Sequence, residues 1–119
     1  MTVQTDYFTI ATAGATNTGR VRDHNEDSFL TKPQSGVWVV ADGMGGHDAG
    51  DFASQTITEE LASVGVPISA EDLQARFMER LARAHTRIQD HAAELGAGTI
   101  GATIVGLLAH GDQLSLIHI

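Results

Sequence analysis

A chain of 119 residues is one domain or part of one, and its 42% hydrophobic against 18% charged residues supports a packed core and excludes a disordered polymer. A formal net charge of −8 with no basic run argues against nucleic acid or an anionic membrane as partner. Cysteine is absent, which excludes disulfides and thiolate zinc sites, and neither a signal-like N-terminus nor a membrane-length apolar run occurs, so the expected setting is cytoplasmic.

Residues 7–13 (Tyr-Phe-Thr-Ile-Ala-Thr-Ala) alternate loosely and suit a first strand, followed by a turn-rich loop over residues 14–19. Residues 22–27 are too polar for core, and a second strand is expected from Asp27 to about Lys32. Pro33-Gln34-Ser35-Gly36 reads as a turn. Val37-Trp38-Val39-Val40-Ala41-Asp42 is a short, largely β-branched run between Gly36 and Gly43, the pattern of a buried strand. Two strands joined by so short a loop imply an antiparallel hairpin, with Glu26-Asp27 and Asp42 at the same end.

A helix is expected over about residues 48–64, because Ala53, Ile57, Leu61 and Val64 share one face. Gly65-Val66-Pro67 breaks it. Ser69 is an N-cap for a second helix, with Asp72 three residues on in a capping-box-like arrangement. Leu73, Phe77, Leu81, Ala84, Ile88, Ala92 and Leu95 hold helical spacing until Gly96 and Gly98 end the run. Residues 102–109 suit a strand, His110-Gly111-Asp112 a turn, and residues 113–119 a partner strand. Strands, two helices, then strands make an α+β arrangement, an antiparallel sheet beneath paired helices.

Glu26, Asp27 and Asp42 supply the oxygen donors that a pair of hard cations such as Mg2+ or Mn2+ requires, and the Gly43 carbonyl is open because no side chain shields it. Two such ions would acidify a bridging water for in-line attack on phosphorus. On composition alone, a solvated acidic loop and an acidic turn former are the commoner reading of the same residues. Arg22 suits bidentate phosphate binding or an ordinary surface position. His24 and His47 flank the acids and suit proton donation or plain solvation. His85, His91 and His110 carry no pattern, and Gly96, Gly98 and Gly101 lack the lysine of a phosphate loop.

Residues 19–28, Gly-Arg-Val-Arg-Asp-His-Asn-Glu-Asp-Ser, resemble the first motif of the bacterial metal-dependent protein phosphatases (PPM, type 2C serine/threonine phosphatases), G-x-V-R-x-x-N-E-D-S. Residues 39–54, Val-Val-Ala-Asp-Gly-Met-Gly-Gly-His-Asp-Ala-Gly-Asp-Phe-Ala-Ser, resemble the second, V-A-D-G-M-G-G-H-x-x-G-E-x-A-S. Residues 98–105 look like the third, a G-x-T-T strand start, and their Ile-Gly-Ala-Thr wording is similar to members linked to type VI secretion.

The resemblance implies the N-terminal part of a four-layer α-β-β-α sandwich, two antiparallel sheets flanked by helix pairs, with two Mn2+ or Mg2+ ions at one end. Asp42 would bridge the ions, Glu26 and the Gly43 carbonyl would bind one, Asp27 would hold metal-bound water, and Arg22 would take the phosphate. The implied reaction is hydrolysis of phosphoserine or phosphothreonine in proteins by a metal-activated water, with a phosphorylated protein as substrate and a cognate Ser/Thr kinase as functional partner. Met44 stands where animal members place a histidine, so no acid role passes to His47, and Asp51 replaces the usual Glu.

The family's Gly-Asp-Ser-Arg motif and its later aspartates do not occur, so residues 1–119 are expected to be the N-terminal portion of one phosphatase domain, inactive alone. The alternative is a non-catalytic phosphatase-fold module that binds a signalling partner. Residues 114–119, Leu-Ser-Leu-Ile-His-Ile, make a tolerable strand. They are also one reading frame of the mosaic-end DNA used in transposon library preparation, and adapter translation is the favoured expectation.

Overall fold

A computed structural model of the chain describes residues 2–4, 9–17, 26–45, 49–96 and 98–119. In chain order its elements are β1 (Thr2–Gln4), β2 (Thr9–Ala11), β3 (Asp27–Lys32), β4 (Val37–Met44), α1 (Ala49–Leu61), α2 (Ala70–Leu95), β5 (Gly101–His110) and β6 (Gln113–His118). β1 and β2 form a small antiparallel ribbon, and β3-β4-β5-β6 form a four-stranded antiparallel sheet. The expected α+β arrangement is found as one such sheet with a helix pair on one face, two layers of the four-layer sandwich.

The β3–β4 hairpin turns through residues 33–36, with the Ser35 and Gly36 amides donating to the Lys32 and Pro33 carbonyls at 3.0 and 3.1 Å. Gly36 takes the left-handed region (φ 79°), and a Cβ there would stand 1.9 Å from the Ala109 carbonyl oxygen. The glycine thus makes the turn and also admits β5, whose Ala109 amide donates to the Gly36 carbonyl at 2.8 Å. β4 runs past its expected end at Asp42, because β5 offers Ala102 and Gly101 as partners for Gly43 and Met44.

α1 stops at Leu61, a turn short of the expected end. The Ala62 amide still donates to the Thr58 carbonyl four residues back, the Ser63 and Val64 amides tighten onto Glu60 and Leu61 three residues back, and Gly65 takes φ 71°. Val64 is nonetheless fully buried, so the apolar face outlasts the helix itself. α2 begins as its sequence predicts: the Ser69 side chain accepts from the Asp72 amide at 3.0 Å. The return bond of the capping box is displaced by one residue, with the Ile68 amide donating to Asp72 Oδ2 at 2.9 Å. Gly96 closes the helix in the left-handed region (φ 59°), its amide donating to the Ala92 and Ala93 carbonyls.

Core residues come from both helices and the facing side of the sheet: Val37, Val39, Ala41, Ile57, Leu61, Leu73, Phe77, Ile104 and Leu108 are all buried. A Cβ at Gly106 would lie 3.1 Å from Phe77 Cζ, so this mid-strand glycine lets the ring rest on the backbone of β5. Leu95, the last apolar position of α2, is exposed, and Leu81 and Ala92 are half-buried.

The helices are tied along their length. Arg76 Nη1 donates to the Val64 carbonyl (2.9 Å), Arg80 Nε to Ser63 Oγ (2.8 Å), and Arg87 pairs with Glu59 and Glu60 at 3.3 and 3.1 Å. Phe52 of α1 stacks on His91 of α2, with ring centroids 3.7 Å apart and 16° between planes. Among the described residues no helix is long and apolar enough to cross a membrane.

Candidate metal centre

The register of β3 on β4 places Asp27 directly opposite Asp42. Directly opposed residues share a face of the sheet, and here it is the face away from the helices, where both are exposed. Like charges so placed repel, and a cation that neutralises both would relieve that repulsion.

Glu26, one residue earlier, continues the ladder, its carbonyl accepting from the Gly43 amide at 2.9 Å. The alternation of the strand sends Glu26 to the opposite face, toward α1. A Cβ at Gly50, in the first turn of α1, would lie 1.7 Å from Glu26 Oε2. A Cβ at Gly43 would lie 2.0 Å from the Gly50 carbonyl oxygen and 3.0 Å from that of Glu26. Three backbone segments therefore meet at distances that only glycine permits.

The next residue of α1, Asp51, has a buried Oδ1 with no hydrogen-bond partner among the described residues. Its place in the first turn puts it at the positive end of the helix dipole, which favours a carboxylate. Further along the same seam, Ser28 of β3 and Thr58 of α1 share a hydroxyl–hydroxyl hydrogen bond of 3.1 Å, which holds the start of β3 against α1.

The structure thus brings Asp27 and Asp42 side by side at the rim of the outer face, and seats Glu26 with buried Gly43 behind them against α1. Among the described residues no three His, Asp or Glu side chains gather closely enough to hold a metal ion. The oxygen donors present fit part of a hard divalent centre, built on the Asp27–Asp42 pair. Arg22, His24 and His47 lie outside the described residues. Sequence reasoning missed the contact between Gly50 and Glu26; the available signal was a glycine in the first turn of an otherwise alanine-containing helix.

No family model matches the chain. It is 30% identical over 112 residues to the serine/threonine phosphatase stp of Listeria welshimeri, covering 87% of this chain and 44% of that protein. Among solved structures it superposes with a TM-score of 0.81 and 39% identity on PppA, described as a key regulatory component of the type VI secretion system in Pseudomonas aeruginosa, over 86% of this chain and 45% of that one. It also superposes on the catalytic domain of the serine/threonine protein phosphatase PstP in complex with two manganese ions, with a TM-score of 0.68, 31% identity, and 87% and 44% coverage. The chain spans less than half the length of these relatives.

The four-stranded antiparallel sheet under a helix pair thus matches part of the fold of these serine/threonine phosphatases. The chain belongs to the bacterial PPM serine/threonine phosphatase family and matches the N-terminal region of its members.

Proposed function

We propose that the full-length protein hydrolyses phosphoserine and phosphothreonine in proteins, using two Mn2+ or Mg2+ ions. The observation that carries this reading is the direct opposition of Asp27 and Asp42 at one end of the sheet. The complex of PstP with two manganese ions supports the choice of metal. When bound, the ions supply Lewis acidity toward water and the phosphoryl group. In this reading Asp42, the Gly43 carbonyl and Glu26 would hold the ions, and Asp27 would hold metal-bound water. Arg22 binds the phosphate oxygens, its guanidinium matching their geometry.

The test is manganese-dependent hydrolysis of p-nitrophenyl phosphate and of a phosphopeptide by the full-length protein. Asp42→Asn is expected to abolish turnover, and Arg22→Ala to raise KM for the phosphopeptide by about tenfold or more, the loss of a charged hydrogen bond. Full turnover in Asp42→Asn at saturating metal would refute the site. No turnover by a folded wild-type protein would leave the second reading, a non-catalytic module that binds a signalling partner. A cognate Ser/Thr kinase is the expected functional partner, and the 39% identity to PppA supports a setting beside type VI secretion.

Residues 1–119 are, in this proposal, the N-terminal portion of one phosphatase domain, and residues 114–119 are adapter translation. In keeping with this, every residue of β6 except Ile117 is exposed, on both faces. The source DNA decides: codons for 114–119 that differ from the mosaic end make β6 a native strand.

A further inference from the structure

Glycine at position 50 has no conformational reason to be there. Its backbone is not in the left-handed region, and alanine is the better helix former. Its reason lies in what a side chain would strike. A Cβ at position 50 would stand 1.7 Å from Oε2, 2.7 Å from Cδ and 3.1 Å from Cγ of Glu26, and these are its three nearest atoms. All three belong to one flexible side chain, which has staggered alternatives to swing into. To reach van der Waals separation the carboxylate oxygen would have to retreat by roughly 1.5–2 Å. The neighbouring glycine behaves oppositely: a Cβ at Gly43 would strike the backbone oxygens of Gly50 and Glu26, which cannot swing away.

We infer that Gly50 is a positioning residue, whose bare Cα is the wall that sets the Glu26 carboxylate at the rear of the metal centre. The inference rests on the proposed role of Glu26 in that centre. Substitution at position 50 then separates two properties that most core glycines couple. The helix gains from alanine while the carboxylate is displaced, so the fold survives and the metal affinity does not.

Four forms of the full-length protein test this: wild type, Gly50→Ala, Glu26→Ala and the double variant. Each is measured by calorimetric titration with Mn2+ and by thermal unfolding without metal. Gly50→Ala is expected to weaken Mn2+ binding about tenfold or more, in the range found when the supports of metal ligands are removed. Its metal-free Tm is expected to equal or exceed that of wild type. In the Glu26→Ala background, where the obstacle is gone, adding Gly50→Ala is expected to change Mn2+ affinity by less than about twofold, the mark of two residues acting through one another. Wild-type Mn2+ affinity in Gly50→Ala overturns the inference. Equal weakening in both backgrounds, or an equal fall in metal-free Tm in both, also overturns it, since Gly50 would then act on the fold and not through Glu26. Wild-type affinity in Glu26→Ala is a distinct result: it removes Glu26 from the metal centre, and the inference with it.

Discussion

The two faces of the four-stranded sheet have nearly the same composition in the central strands and opposite surroundings. Toward the helices, Val37, Val39, Ala41, Ile104 and Leu108 are buried to within a few per cent of completely. On the other face, the cross-strand rows are Phe29–Val40–Val105 and Trp38–Leu107–Leu116, and there Val40 is 58% and Leu116 74% exposed. An antiparallel sheet with one solvated face alternates apolar and polar residues, whereas β4 and β5 are apolar on both sides. These two strands are therefore written for cover on both faces, and the helices supply it on one. Among the described residues, 10–15 give the outer face partial cover: the Trp38 indole donates to Thr12 Oγ1 at 3.1 Å, and Gly14 lies against the Phe29 ring.

The largest expected effect tests the covered side. Phe77 is fully buried between α2 and Gly106, and Phe77→Ala should lower unfolding free energy by about 3–5 kcal/mol in urea titration. A loss below about 1 kcal/mol would mean that this face is no better packed than the other. Next comes the cap that anchors α2 over the sheet: Ser69→Ala should cost about 1 kcal/mol by the same measurement. An unchanged midpoint would show that packing alone holds that end of the helix.

On the outer face, Leu107→Thr should shift stability by no more than about 0.5 kcal/mol in the 119-residue chain, as for other exposed positions. In the full-length protein the same substitution sharpens the contrast. A cost there of about 2 kcal/mol or more would show the face covered, and an unchanged value would show it open. The smallest effect is in acid. The Ile68 amide and then the Arg76 side chain hold the Asp72 carboxyl below its ordinary range. A carboxylate depressed in the folded state stabilises it above the unfolded value, and that contribution is lost as pH falls through the folded one. Amide exchange in the first turn of α2 should therefore rise as pH drops through and below the ordinary aspartate range, once intrinsic rates are removed. Asp72→Asn should flatten that rise.

Much of this was legible in the chain. The span of α2 follows from strong periodicity and from the cap residues Ser69 and Gly96, which act locally, and β3 lies where the sequence sets a strand between the polar residues 22–27 and the turn at 33–36. The pairing of Asp27 with Asp42 followed from the short Pro33–Gly36 turn. β1 was not foreseen, because Thr2-Val3-Gln4 is too short to display a period and pairs only through β2. The early stop of α1 was hidden because Val64 keeps its burial after the helix has ended. The Phe52–His91 stack joins residues on separate helices, beyond the reach of any local pattern, and His91 carries no pattern of its own in the sequence. The placing of Glu26 against α1, away from the aspartate pair, was implicit in strand alternation but needed the Gly43 ladder bond to show that the alternation extends that far.

The sequence holds one tryptophan, and the fold puts it in the middle of the outer face with its indole N–H tethered to Thr12. The intrinsic fluorescence of the chain is thus a built-in optical probe of that face and is nearly blind to the helix side. Anything that settles over Val40, Leu107 and Leu116 will drive water from the indole and move its emission to shorter wavelength. Loosening of the α1–α2 layer alone will leave the spectrum where it was, so a single emission scan distinguishes events on the two sides of the sheet.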